Sequence, residues 1–127
     1  MSDASPRLLI VDDADEARAI LAIALSTIPG AQVEIAGSAE DALRLLEGEP
    51  VDVLLTDIRM SGMSGLELLT AIRERGRWPV HGALVISGET GPDLRQRALE
   101  CGAAAFFTKP FSAAEIRKSV LSLLRSS

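Results

Sequence analysis

Asp12-Asp13, Asp57, Ser87 and Lys109-Pro110 share one local setting: each closes or follows a short apolar run. If those runs are parallel strands of one sheet, four strand ends bring three carboxylates, a hydroxyl and an ammonium to a single rim, where open parallel sheets bind ligands. Three neighbouring carboxylates repel one another unless a cation sits among them, and donors that are all oxygen select a hard ion such as Mg²⁺. A carboxylate beside such an ion, with a lysine and a hydroxyl to take up further oxygens, suits acceptance of a phosphoryl group, a transfer governed by positioning and charge neutralisation. Asp57, alone after the central run, is then the nucleophile. Asp12 and Asp13 hold the metal, Lys109 neutralises phosphoryl oxygens, and Ser87 hydrogen-bonds one of them.

The elements that must position these groups are legible in the apolar pattern. Leu8 to Val11, Val51 to Leu55 broken only by Asp52, Ala83 to Ile86, and Ala103 to Phe107 read as strands buried on both faces, while Val33-Glu34-Ile35 alternates as an edge strand does. Between them, Ala17, Ile20, Leu21, Ala24, Leu25 and Ile28 recur at helical spacing, as do Ala39, Ala42, Leu43 and Leu46. Pro29-Gly30 is expected to stop the first helix and Ser38 to cap the second. Gly65 precedes a helix carrying Leu66, Leu69 and Ile72, and Pro92 suits the first turn of another that ends at Gly102. Ser112 with Glu115 forms a capping box for a last helix whose apolar face is Ile116, Val120, Leu123 and Leu124. Five strands and five helices in strict alternation imply an α/β fold, a parallel sheet with helices on both faces.

Composition narrows the function classes. A chain of 127 residues that is 47% apolar has room for one core and excludes a multidomain enzyme. Thirteen basic against eighteen acidic residues leave a net charge of −5, and no basic run offers a landing surface for nucleic acid, so no direct DNA binding is expected. The start, Met1 to Pro6, lacks the pattern of a signal peptide, and no apolar run approaches the roughly 20 residues of a membrane span. One cysteine, Cys101, fits a reducing compartment, and the expected location is cytoplasmic, away from membranes. With no Tyr, one Trp and three Phe, the core must be aliphatic.

Together, Asp12-Asp13 after an apolar strand, Asp57-Ile58-Arg59-Met60 followed by Met63-Ser64-Gly65, Ser87-Gly88-Glu89, Gly102-Ala103 and Lys109-Pro110-Phe111 resemble the receiver domain of two-component response regulators. The resemblance runs from about Arg7 to Leu124, and in length the chain is similar to a stand-alone, chemotaxis-type regulator: a single receiver domain over 1–127 with no output domain. It implies a doubly wound, flavodoxin-like five-stranded sheet in the order 2-1-3-4-5. It implies that Asp57 takes a phosphoryl group from a sensor histidine kinase or phosphotransfer protein, with Mg²⁺ held by Asp12, Asp13, Asp57 and the backbone carbonyl of Arg59. Lys109 matches the phosphate-binding lysine, its bond to Pro110 expected to be cis. Ser87 and Phe106 match a switch pair that alters the face made by the helix from Pro92, the fifth strand and the last helix, and so controls a downstream target protein. Arg59 and Glu89 match positions that flank the path of the attacking water and tune dephosphorylation. The implied protein is a signalling switch whose only chemistry is its own phosphorylation and dephosphorylation, not an enzyme acting on other molecules. A relay or sink receiver, or a receiver cut from a hybrid kinase, are the alternatives.

Two positions depart from the family pattern: Ser61 stands where proline is usual, and Phe106 where tyrosine is frequent. Two other classes use related parts. A haloacid-dehalogenase-type phosphatase needs its first aspartates spaced D-x-D, whereas Asp12 and Asp13 are adjacent. A flavodoxin-like binding module needs an anion-attracting loop after the first strand, where Asp12-Asp13-Ala14-Asp15-Glu16 is acidic. Ordinary structural roles are expected elsewhere: His81 at the far end of the fourth strand as a surface or structural residue, Cys101 buried and inert, Trp78 packed in a connecting loop.

Overall fold

The computed structural model describes residues 5–89 and 91–125; Met1 to Ala4, read above for a leader, and the Ser126-Ser127 tail lie outside the described residues. Strands and helices alternate: β1 (Arg7–Val11), α1 (Asp15–Ser26), β2 (Gln32–Ala36), α2 (Ala39–Leu46), β3 (Val53–Thr56), α3 (Gly65–Glu74), β4 (Gly82–Ser87), α4 (Pro92–Glu100), β5 (Ala105–Thr108) and α5 (Ala113–Arg125). The five strands form one parallel sheet in the order β2-β1-β3-β4-β5, so β2, the alternating segment, is indeed an edge.

The inner strands read as continuous apolar runs because successive side chains point to opposite faces and both faces are covered. Leu9, Val11, Leu54, Ala83, Val85 and Phe106 pack under α2, α3 and α4. Leu8, Ile10, Val53, Leu55, Leu84 and Ile86 pack against Leu21 and Leu25 of α1 and Ile116 and Val120 of α5. The Ala39, Ala42, Leu43 and Leu46 stripe is buried as its spacing implies. The α1 stripe is only partly so: Leu21, Leu25 and Ile28 are buried, but Ile20 is exposed beside Pro110 and Phe111. Helix spacing therefore marks a wider apolar stripe here than the sheet covers.

Local chemistry accounts for the helix ends. The Ser38 side chain accepts a hydrogen bond from Asp41 N–H, and Ser112 accepts one from Glu115 N–H. Ser64 caps α3 with a full reciprocal box to Glu67, a Ser-x-x-Glu signal one residue before the Gly65 singled out in the sequence. Pro92 occupies the first turn of α4. α1 ends at Ser26 with Thr27 as its C-cap and Pro29-Gly30 just beyond, as expected, and the Ser26 and Thr27 hydroxyls donate to the Ala22 and Ala24 carbonyls of the last turn.

Cys101 is half-buried, not buried as expected: it follows α4 directly, at the rim of the groove between α3 and α4. Trp78 does pack in its loop, with the Arg73 guanidinium 5.0 Å above its ring. His81 lies at the opposite end of the sheet from the acidic rim, 3.9 Å from Asp52. Among the described residues no helix is long and apolar enough to cross a membrane.

Candidate phosphoacceptor and metal site

Parallel pairing places the reactive residues. Asp12 N–H donates to Ala36 O at 3.2 Å, Asp57 N–H to Val11 O at 3.0 Å and Lys109 N–H to Ser87 O at 2.8 Å. Each is thus held by the strand beside it, at the carboxyl edge of the sheet. The side chains then converge. Lys109 Nζ donates to Asp12 Oδ2 at 2.9 Å and to Asp57 Oδ2 at 2.8 Å, joining the ends of three strands.

A carboxylate oxygen from each of Asp12, Asp13 and Asp57 lies within 4.8 Å of the others. Asp12 and Asp57 are only 2% and 7% exposed, while Asp13 is open to solvent. Each of the three accepts a backbone N–H: Asp12 Oδ1 from Ala14 at 2.9 Å, Asp57 Oδ1 from Ile58 at 2.7 Å and Asp13 Oδ2 from Ser61 at 3.1 Å. Charged acceptors strengthen such bonds. Burial acts to lower the pKa of Lys109, but its hydrogen bonds to Asp57 and Asp12, with their charges, outweigh that and raise it above the usual lysine value. Lys109 is a fixed cation at neutral pH.

The loop after β3 brings its own constraint. Gly65 N–H donates to Ile58 O at 2.8 Å, and a Cβ on Gly65 would lie 1.9 Å from the Asp57 carbonyl oxygen. Only glycine lets α3 begin this close to the Asp57 backbone. Ile58 and Met60 are buried in the core, so the loop is pinned on both sides of Arg59.

A cavity of about 300 Å³ opens beside Asp57, lined by Arg59, Gly88, Glu89 and Lys109. The Arg59 guanidinium pairs with the Glu89 carboxylate at its mouth, the side chains 78% and 38% exposed. Ser87 is fully buried, its hydroxyl accepting the Glu89 N–H at 3.0 Å. Phe106 pairs with Val85, which puts its side chain and that of Ser87 on the α4 side of the sheet, and the ring is buried there. The Lys109-Pro110 bond is cis, as expected. The structure therefore brings together Asp12, Asp13, Asp57 and Lys109, with Arg59 and Glu89 across the mouth, and sets Ser87 and Phe106 in the wall behind. Sequence reasoning missed the Ser61 N–H, because a backbone donor leaves no mark in residue types.

The arrangement can hold a hard cation on all-oxygen donors and keep one carboxylate beside a permanent ammonium. Residues 8–121 match the family model of the response regulator receiver domain. The chain is 35% identical to the sensor histidine kinase TmoS of Ectopseudomonas mendocina over 94% of its own length and 12% of that protein. It is 35% identical to the transcriptional regulatory protein AruR of Pseudomonas aeruginosa, covering 94% of this chain and 50% of that one. The chain thus spans half or less of these two relatives. Among solved structures, the chemotaxis response regulator CheY4 of Vibrio cholerae superposes with a TM-score of 0.84 at 27% identity, over 94% of this chain and 99% of that one.

Proposed function

The chain belongs to the response regulator receiver domain family, and from that premise we propose that it is a phosphorylation-dependent signalling switch with Asp57 as its phosphoacceptor. The observation that carries the reading is Lys109 Nζ bridging Asp12 and Asp57 inside a cluster of three carboxylates. A lysine so held keeps its charge beside the one buried aspartate that lines the open cavity.

An oxygen of the Asp57 carboxylate forms the new bond to phosphorus as the phosphorus–nitrogen bond of a donor phosphohistidine breaks, and the leaving imidazole takes a proton from solvent. Lys109 orients Asp57 beforehand and neutralises oxygens of the incoming group afterwards. The all-oxygen donor set fits Mg²⁺, with Asp12, Asp13, Asp57 and the Arg59 carbonyl as its holders. Once bound, the ion supplies charge neutralisation on the phosphoryl oxygens. The Ser87 hydroxyl accepts the Glu89 N–H, which leaves its own O–H to donate to a phosphoryl oxygen, and Phe106 lies on the same side of the sheet. Movement of this pair reshapes α4, β5 and α5, the face proposed to meet a downstream target protein.

Acetyl phosphate with Mg²⁺ should add one phosphoryl group to the protein, read by intact mass. Asp57→Asn should abolish the addition, and labelling retained at the wild-type level would refute the assignment. Beryllofluoride mimicry should move amide resonances chiefly between Ser87 and Lys118. The similarity to a sensor kinase supports a second reading, a relay receiver within a hybrid kinase. Onward transfer separates the two: phosphorylated protein that passes its phosphoryl group to phosphotransfer proteins favours the relay, and protein that retains it favours the first.

A further inference from the structure

The three carboxylates of the site are not held alike. Asp12 and Asp57 each bond Lys109 and each take a backbone N–H from within two residues of their own position. Asp13 is exposed, and the N–H bonding its Oδ2 comes from Ser61, 48 residues away in the loop between β3 and α3. That loop is not free to follow the side chain. Met60, next to Ser61, is buried in the core, and Gly62, at φ +82°, turns the chain back toward α3.

Building on the receiver reading above, we propose that the Ser61 backbone N–H is a positioning group for the cation site, aligning Asp13 and coupling the loop after β3 to cation binding. An exposed carboxylate left to rotate must be ordered when it ligates an ion; Ser61 orders it already in the folded chain. The hydrogen bond draws some charge from Asp13, but it leaves the second oxygen and the remaining lone pairs for a metal. Donors behind metal ligands commonly change metal affinity by about tenfold or more when removed. Proline at this position would have no N–H to give.

Ser61→Pro removes the donor, whereas Ser61→Ala keeps it. Mg²⁺ titration of the unphosphorylated proteins, followed by amide shifts, should show affinity weakened about tenfold in S61P and unchanged in S61A. Hydrogen exchange at the Ser61 amide gives a second readout without metal. It should be slow in the wild type and accelerate in Asp13→Ala, with the neighbouring helix α3 unaffected. Equal Mg²⁺ affinity in S61P and wild type, or Ser61 exchange unchanged in D13A, overturns the positioning role alone. Failure of the wild-type protein to bind Mg²⁺ overturns instead the metal-site reading beneath it.

Discussion

Gly65→Ala sets helix propensity against steric fit, and the two forecast opposite signs. Gly65 is the first residue of α3, and exchanging glycine for alanine at a compatible helical site stabilises by about 0.5 to 1 kcal/mol. Here the added Cβ would lie 1.9 Å from Asp57 O, 2.9 Å from Asp57 C and 3.1 Å from the Ile58 Cα, whereas real Cβ atoms essentially never come within 3.0 Å. The obstacle is backbone, held by Asp57 N–H to Val11 O and Gly65 N–H to Ile58 O, so no rotamer change relieves it. α3 or the Asp57 segment must move by about 1 Å, a strain at the upper end of overpacking costs, about 3 kcal/mol. For a domain of this size that lowers the melting temperature by roughly 10 °C. A displacement of that size at Asp57, the proposed phosphoacceptor, should also cost about a hundredfold in phosphorylation rate. Thermal melts by circular dichroism and acetyl phosphate labelling well below the transition read both effects. Gly48→Ala, whose Cβ would meet only ordinary contact at 3.5 Å, is the control and should melt like the wild type. A G65A protein that melts at or above the wild-type temperature would show that propensity wins and that the close approach is unimportant.

Lys109→Met leaves Asp12 and Asp57 facing each other without their cation and should destabilise by about 2 kcal/mol, less than a fully buried pair because the lysine is 24% exposed. Because its pKa is raised on folding, the lysine's contribution is full below the ordinary lysine value of about 10.4 and fades only as pH rises through the higher folded value. Melting temperatures of the two proteins should therefore differ at neutral pH and approach each other only in strong alkali. Replacing Arg59 and Glu89 together by alanine should speed loss of the phosphoryl group several-fold in excess Mg²⁺, by opening the cavity mouth to attacking water. Melting should hardly change, since an exposed ion pair contributes ~0 to 1 kcal/mol; decay no faster than wild type would leave the pair a surface contact. Gly102→Ala should destabilise, because Gly102 has φ +107° and an added Cβ would lie 2.1 Å from an Arg73 guanidinium nitrogen and 3.0 Å from the Trp78 ring. Altered Trp78 fluorescence should accompany the loss, and an unchanged spectrum would place the strain elsewhere.

Much of the architecture was legible in the chain because burial on both faces writes itself as unbroken apolar runs. Leu8 to Val11 and Ala83 to Ile86 lie within observed strands, and the α2 stripe at Ala39, Ala42, Leu43 and Leu46 is buried throughout. The acidic rim was legible too, since Asp12, Asp57 and Lys109 each follow their strand directly. What residue types could not say is which groups meet across the rim. That Lys109 bridges Asp12 and Asp57, and that Asp13 leans on a backbone N–H from Ser61, depends on strand register and loop path, set by contacts 48 to 97 residues apart. The same limit governs exposure. Ile20 has the spacing of a core residue and Cys101 the chemistry of one, yet both sit where the sheet ends or a groove opens. Hydrophobic periodicity is a property of one helix, whereas cover is a property of its neighbours, and only the assembled layers decide which part of an apolar stripe is sealed from water.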